Sequence, residues 1–98
     1  MPASRMTDAQ IKALILNYLA RRRRWGNRYY NRQKIVRYLG QDVLGDGKEV
    51  SRCLNELANI RWLNVKKKGK TVSLNTSFIK EIWEHIDAKI NMKRNSHI

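Results

Sequence analysis

The sequence predicts a mostly α-helical protein with one small β-hairpin, an α+β fold. Four segments repeat their apolar residues every three or four positions, as helices with one buried face do. Two shorter segments, 61–66 and 71–74, alternate apolar and polar residues on either side of a lysine-rich turn, which is typical of a hairpin. The chain has 98 residues, 42% of them hydrophobic, which suits one folded domain with a single core.

Helix 1 has a recognisable start. Thr7 and Gln10 have the spacing of a capping box, in which each side chain bonds the backbone of the other. The apolar repeat that follows predicts a helix over about residues 8–22. Gly26 then interrupts the pattern, and residues 29–30 look like a short extended segment.

Helix 2 is predicted to begin after Asn31, whose short side chain suits an N-cap. We expect it to end at Gly40 in the left-handed position after the last turn. Its buried residues would be Ile35, Val36 and Leu39.

Helix 3 follows a glycine-rich loop in which Asp46 can cap and Glu49 can reach back, and it is predicted to run to about Asn59. At 100° per residue, its buried stripe consists of Val50, Leu54 and Leu57, with Cys53 and Ile60 on one shoulder. Polar residues without an acid form the opposite side: Lys48, Arg52, Asn55 and Asn59. We therefore expect this outer face to form hydrogen bonds with a partner.

Helix 4 is predicted after the N-cap candidates at residues 75–77. Its apolar residues at spacings of four, three and four are typical of a helix pair: Ile79, Trp83, Ile86 and Ile90. The alternative is packing on its own domain, for which Phe78 and Ile82 could supply an inward face, and both arrangements can coexist. The expected organisation is a flexible N-terminus (1–6), a folded domain (7–76), an amphipathic dimerisation helix (77–92) and a flexible tail (93–98).

The charge of the chain points to a polyanionic partner. Lys and Arg number 21 and Asp and Glu 8, which gives a net charge of +13. No acid lies between Asp8 and Asp42, whereas residues 80–89 are almost neutral. Nucleic acid is therefore the first candidate, and helix 4 is expected to face something else.

Several classes of protein are disfavoured. The sequence has no apolar run of about 20 residues and no signal-peptide pattern, so we expect a cytoplasmic protein without a membrane partner. Cys53 is the single cysteine, so no intramolecular disulfide and no zinc ligand set are expected. We find no catalytic motif, metal or cofactor site, or ligand-sensing domain, and we expect that the protein is not an enzyme.

The order of elements and the run Val50-Ser51-Arg52-Cys53-Leu54, leading through residues 61–65 into a basic hairpin, resemble the winged helix-turn-helix family. The resemblance covers about residues 7–90 and is closest to small regulators of bacteria and archaea. It implies that helix 3 enters the major groove of double-stranded DNA and contacts bases through Lys48, Ser51, Arg52 and Asn55. It also implies that the hairpin is a wing that reaches phosphates or a minor groove through Lys66, Lys67, Lys68 and Lys70. One departure is the 41–47 connection, which is longer than the tight turn usual there.

Two further regions are candidate contacts with the nucleic-acid backbone. Asn31, Arg32 and Gln33 open helix 2, whose N-terminal amides and dipole suit a phosphate. An additional basic patch is formed by Arg21, Arg22, Arg23, Arg24 and Arg28. Aromatic residues interleave with it, which suits stacking on unpaired bases. The favoured interpretation is that Trp25 and one tyrosine join the core while the arginines touch backbone.

The sequence therefore predicts a dimeric DNA-binding protein that regulates transcription. The alternatives are an RNA- or ribosome-associated winged-helix protein and an architectural DNA binder. A protein–protein adaptor is a third interpretation, and it predicts no salt-sensitive binding to nucleic acid.

Overall fold

The computed structural model of the chain describes residues 7–41 and 47–89, which form four α-helices and a three-stranded sheet. The helices are α1 (Asp8–Arg21), α2 (Arg32–Gly40), α3 (Gly47–Asn59) and α4 (Ile79–Lys89), the last preceded by a 3₁₀ turn over Thr76–Phe78. The strands are β1 (Tyr30–Asn31), β2 (Leu63–Lys66) and β3 (Thr71–Leu74). The predicted α+β class is confirmed. The two terminal segments expected to be flexible lie outside the described residues.

Local sequence signals fix the starts of α1 and α2. Thr7 N donates to Gln10 Oε1 at 2.9 Å and Gln10 N donates to Thr7 Oγ1 at 3.2 Å, which is the predicted capping box. Asn31 caps α2 as predicted. Helix α2 ends at Gly40 as predicted, but the left-handed position expected for Gly40 is wrong. Gly40 is the last helical residue, buried beside Leu39, and among the described glycines only Gly26 and Gly69 have a positive φ.

The sheet is antiparallel and has the order β1-β3-β2. The predicted hairpin is present, with Leu63 opposite Leu74 and Val65 opposite Val72. The segment at 29–30, predicted only as extended, in fact supplies a third strand in which Tyr30 pairs with Val72. The sheet therefore ties the start of α2 to the hairpin.

One core joins all four helices and the sheet. Ile15, Leu54, Leu74 and Ile82 have no exposed surface in it, and Cys53 is a buried core residue as predicted. None of the described helices has the length and apolar character needed to span a bilayer.

Helix α4 belongs to this core rather than standing apart from it. Ile86 is completely buried with Ile82, which overturns the expectation that Ile86 faces a partner. The inward face is centred between these two residues, about 60° around the helix from the line through Ile79 and Trp83. The apolar stripe of α4 is thus mainly the domain's own packing, with Ile79 and Trp83 at its exposed edge.

Candidate nucleic-acid interface

A cleft of about 320 Å³ lies between the start of α2 and the hairpin turn. Its lining contains five of the predicted phosphate ligands, together with Gly69: Asn31, Arg32, Gln33, Lys68 and Lys70. These residues are far apart in the sequence and meet because β1 pairs with β3 and runs directly into α2. Arg32 N donates to the carbonyl of Lys70 at 2.9 Å, which fixes the two walls against each other.

The hairpin turn carries the lysines outward. Lys67, Lys68 and Gly69 all have positive φ, at 54°, 55° and 89°, and the turn is closed by bonds from Gly69 N to Lys66 O and from Lys70 N to Lys67 O, both 3.1 Å. A left-handed conformation costs a non-glycine residue about 1–2 kcal/mol. The four lysines of the hairpin, Lys66, Lys67, Lys68 and Lys70, are exposed, and none has a salt bridge among the described residues.

The backbone amides at the start of α2 are already bonded. Asn31 Oδ1 accepts from Gln33 N at 2.8 Å and from Lys34 N at 3.4 Å, and the amide of Arg32 is bonded to Lys70. The expectation that these amides bind phosphate directly is therefore wrong. An anion in the cleft would be held by side chains, with the helix dipole adding its field.

The outer face of α3 presents three of the four predicted base-contacting residues. Lys48 and Asn55 are exposed and Ser51 is half-buried. Arg32 reaches this face from α2: its Nη1 donates to Asn55 Oδ1 at 2.9 Å, and its Nη2 donates to Ser51 Oγ at 2.6 Å and Ser51 O at 3.1 Å. Burial lowers the pKa of Arg32 from its ordinary value, although a guanidinium remains a cation at neutral pH. Arg32 thus connects the cleft to α3.

The fourth residue, Arg52, faces α1 instead. Its Nη2 lies 2.6 Å from Asp8 Oδ1 and 2.5 Å from Glu49 Oε1, and its Nη1 lies 2.9 Å from Glu56 Oε2. These bonds raise the pKa of Arg52, led by the bond to Asp8. The structure thus engages this guanidinium with three carboxylates and does not leave it free for the base contact expected of Arg52. The spacings to Glu49 and Glu56 were a usable signal, whereas the pairing with Asp8 depends on tertiary structure.

The basic patch around the end of α1 is organised by aromatic rings. The guanidinium of Arg22 lies 3.6 Å from the Tyr18 ring centre, and that of Arg24 lies 5.2 Å from the Tyr30 ring centre. Arg21, Arg23 and Arg28 are exposed. Trp25 and Tyr30 pack partly buried against the core, as the favoured interpretation of the sequence expected.

A tyrosine cluster that the sequence did not predict lies beneath this patch. Tyr18 OH and Tyr30 OH lie 2.9 Å apart, and Tyr38 packs against Tyr18 with 55% of its surface exposed. Burial and the bond to Tyr30 raise the pKa of Tyr18 to about 12. The spacing of four between Tyr18 and Arg22 on a helix was the available signal.

The exposed edge of α4 forms a small apolar patch, defined as Ile79, Trp83 and the adjoining Trp25. Ile79 is 45% and Trp83 40% exposed, and the rings of Trp25 and Trp83 are centred 6.3 Å apart. Ile90, the remaining residue of the expected seam, lies outside the described residues.

The described residues contain no group of three or more His, Cys, Asp or Glu side chains that could hold a metal ion. Comparison of the chain with protein-family models, curated proteins and solved structures gave no match.

Proposed function

We propose that this protein is a winged helix-turn-helix protein that binds double-stranded DNA and regulates transcription. The observation that carries the proposal is the continuity of the surface through Arg32. This residue lines the cationic cleft and also bonds Ser51 and Asn55 on the outer face of α3. A cationic cleft and a polar helix face thus lie side by side. A protein that contacts both the backbone and the bases of a duplex needs such an arrangement.

The topology supports the winged-helix assignment. A short strand lies between the first two helices, and the third helix leads into a hairpin whose second strand is central, in the order β1-β3-β2. In this arrangement α2 and α3 correspond to the helix-turn-helix pair and β2-β3 to the wing. The unusually long 41–47 connection falls mostly outside the described residues.

Each part has a chemical role in the proposed complex. Lys68 and Lys70 in the cleft, with Lys66 and Lys67 beside them, neutralise phosphates. Lys48, Ser51 and Asn55 face base edges in the major groove. The arginines at the end of α1 extend the basic surface and contact more distant phosphates. Such a protein would act in the cytoplasm on nucleoid DNA.

The test is competition between a DNA duplex and a structured RNA of equal length at equal salt. An α-helix fits the major groove of B-form DNA, whereas the major groove of A-form RNA is too deep and narrow. We expect the DNA to win. Preferential binding to RNA would favour the RNA-associated alternative, and salt-insensitive binding or no binding to either would overturn the proposal.

We also propose that two copies associate through the patch of Ile79, Trp83 and Trp25. A second copy is the partner that the charges favour, because α4 carries both signs close together in a chain of +13: Lys80, Glu81, Glu84, Asp87 and Lys89. Repulsion between two copies is therefore smaller along α4 than on the surfaces that carry the hairpin lysines or the basic patch. Two protomers so joined would engage two DNA half-sites.

A further inference from the structure

We propose that Arg32 sets the base preference of α3. By occupying acceptors of Ser51 and Asn55, it leaves hydrogen-bond donors on the outer face of α3, and these donors favour the acceptor edge of guanine. This inference rests on the proposed function, since it assumes that α3 faces the major groove of a duplex. It assigns to Arg32 a role in base selection beside the phosphate contact expected from its place at the start of α2.

The orientation of the Asn55 carboxamide follows from the chemistry of arginine. A guanidinium has only donors, so the Asn55 atom 2.9 Å from Arg32 Nη1 must be the oxygen. The amino group Nδ2 is then the free end of the side chain, with no partner among the described residues. Asn55 is exposed, so this amino group is presented to solvent or to a ligand.

Ser51 is likewise left with a hydrogen-bond donor that it can present outward. Its Oγ accepts from Arg32 Nη2 at 2.6 Å, which leaves the hydroxyl hydrogen available for an outside acceptor. Lys48, one helical turn before, carries an ammonium group that only donates. The nearby carboxylates of Glu49 and Glu56 are engaged by Arg52 on the side of α1. The outer face therefore offers donors at Lys48, Ser51 and Asn55.

The major-groove edges of the four bases respond differently to such a face. Guanine presents two acceptors, N7 and O6, whereas adenine presents one acceptor and one donor and cytosine a donor. Thymine presents a single acceptor, O4, beside a methyl group. Guanine is thus the best match. The bidentate pairing of Asn55 with adenine, which needs the carboxamide oxygen as an acceptor, is disfavoured because that oxygen is bonded to Arg32.

The test is enrichment of bound duplexes from a pool with randomised central positions, followed by sequencing. For the wild type we expect guanine enriched about tenfold over adenine at one position or more, a factor typical of one good base contact. Arg32→Met should reduce that ratio towards one. Arg37→Met, which removes one exposed positive charge from the same helix, should leave the ratio unchanged.

A second variant keeps the inference testable if Arg32→Met does not fold, which circular dichroism will show. Asn55→Asp places a carboxylate against Arg32 and presents an acceptor outward, so cytosine, whose N4 donates, should replace guanine at the affected position. Retention of guanine by Asn55→Asp, or an unchanged ratio in folded Arg32→Met, would overturn the inference while leaving duplex binding intact. Loss of wild-type binding to every duplex would instead contradict the proposed function.

Discussion

Arg52 and Asp8, 44 positions apart, form a salt bridge of 2.6 Å that joins α3 to the first turn of α1. Glu49 and Glu56 bond the same guanidinium, and Lys12 of α1 bonds the other oxygen of Glu56 at 2.7 Å. The cluster links the proposed recognition helix to α1 at the protein surface, beside the core that the two helices share. In the proposed complex this cluster would support the position of α3, and Lys48, Ser51 and Asn55 would contact the bases.

The cluster predicts a loss of stability in acid. Hydrogen bonds from Arg52 and Lys12 hold the pKa of Asp8 and of Glu56 below their ordinary values of 3.8 and 4.5. Because these pKa values are lower in the folded state, the ion pairs contribute their full stabilisation at pH values above the ordinary pKa values. This stabilisation is lost as the pH falls from the ordinary pKa values towards the lower values of the folded state. Urea unfolding between pH 7 and pH 3 should show this fall, and Arg52→Ala should show less of it. An equal acid dependence in Arg52→Ala and the wild type would contradict the role of the cluster.

The proposed complex predicts a steep dependence of duplex affinity on salt. Neutralising about five phosphates per protomer gives a logarithmic slope of about −4.5, so affinity should fall by roughly 10² to 10³ between 50 and 200 mM salt. Lys68→Ala, in the cleft, should reduce the slope by about one for every sequence. Lys80→Ala, an exposed lysine on α4, is the matched control and should not change it. Fluorescence anisotropy with labelled duplexes measures all three proteins.

The strained turn predicts a gain in stability on substitution by glycine. Lys67 has a φ of 54°, so Lys67→Gly should raise the free energy of unfolding by about 1 kcal/mol. Lys67→Val should lower it, because a β-branched residue fits a left-handed conformation poorly. Thermal unfolding of both variants checks the prediction. The same direction of change in both would show that removal of the charge, and not the backbone, is responsible.

The patch on α4 predicts that self-association and folding can be separated. Trp83→Glu changes a 40% exposed side chain, so it should keep its helical circular dichroism and show half the wild-type mass in light scattering. Ile86→Ala opens a cavity in the core and should lower the free energy of unfolding by about 2–5 kcal/mol. A wild type that is monomeric at tens of micromolar would contradict the dimer proposal.

Features set by neighbours in the chain were predictable from the sequence. The capping box at Thr7 and the N-cap at Asn31 depend on residues two or three positions apart, and the hairpin follows from alternation on either side of one turn. The two-residue strand β1 carries too short a pattern to indicate its partner. It exists because β3 supplies the bonding edge.

The partners that Arg32 and Arg52 find on other helices were not predictable, because they depend on tertiary structure. Arg52 has the spacing of an outward residue on α3, yet Asp8 lies beside it in the fold. Arg32 opens α2, yet it reaches Ser51 and Asn55 on α3. Periodicity likewise identified the apolar stripe of α4 but not which side of it is buried. The buried face, between Ile82 and Ile86, lies about 60° around the helix from the line through Ile79 and Trp83.

Because Cys53 is buried, the reactivity of its thiol can report how often α3 separates from the core. Burial raises the pKa of the thiol to about 11, so the group is almost fully protonated at neutral pH. The side chain also lies on the buried face of α3 with no exposed surface. An alkylating reagent can therefore reach the single cysteine only when α3 separates from the rest of the protein. The rate of labelling would follow that separation, and a duplex that holds α3 in place should slow it.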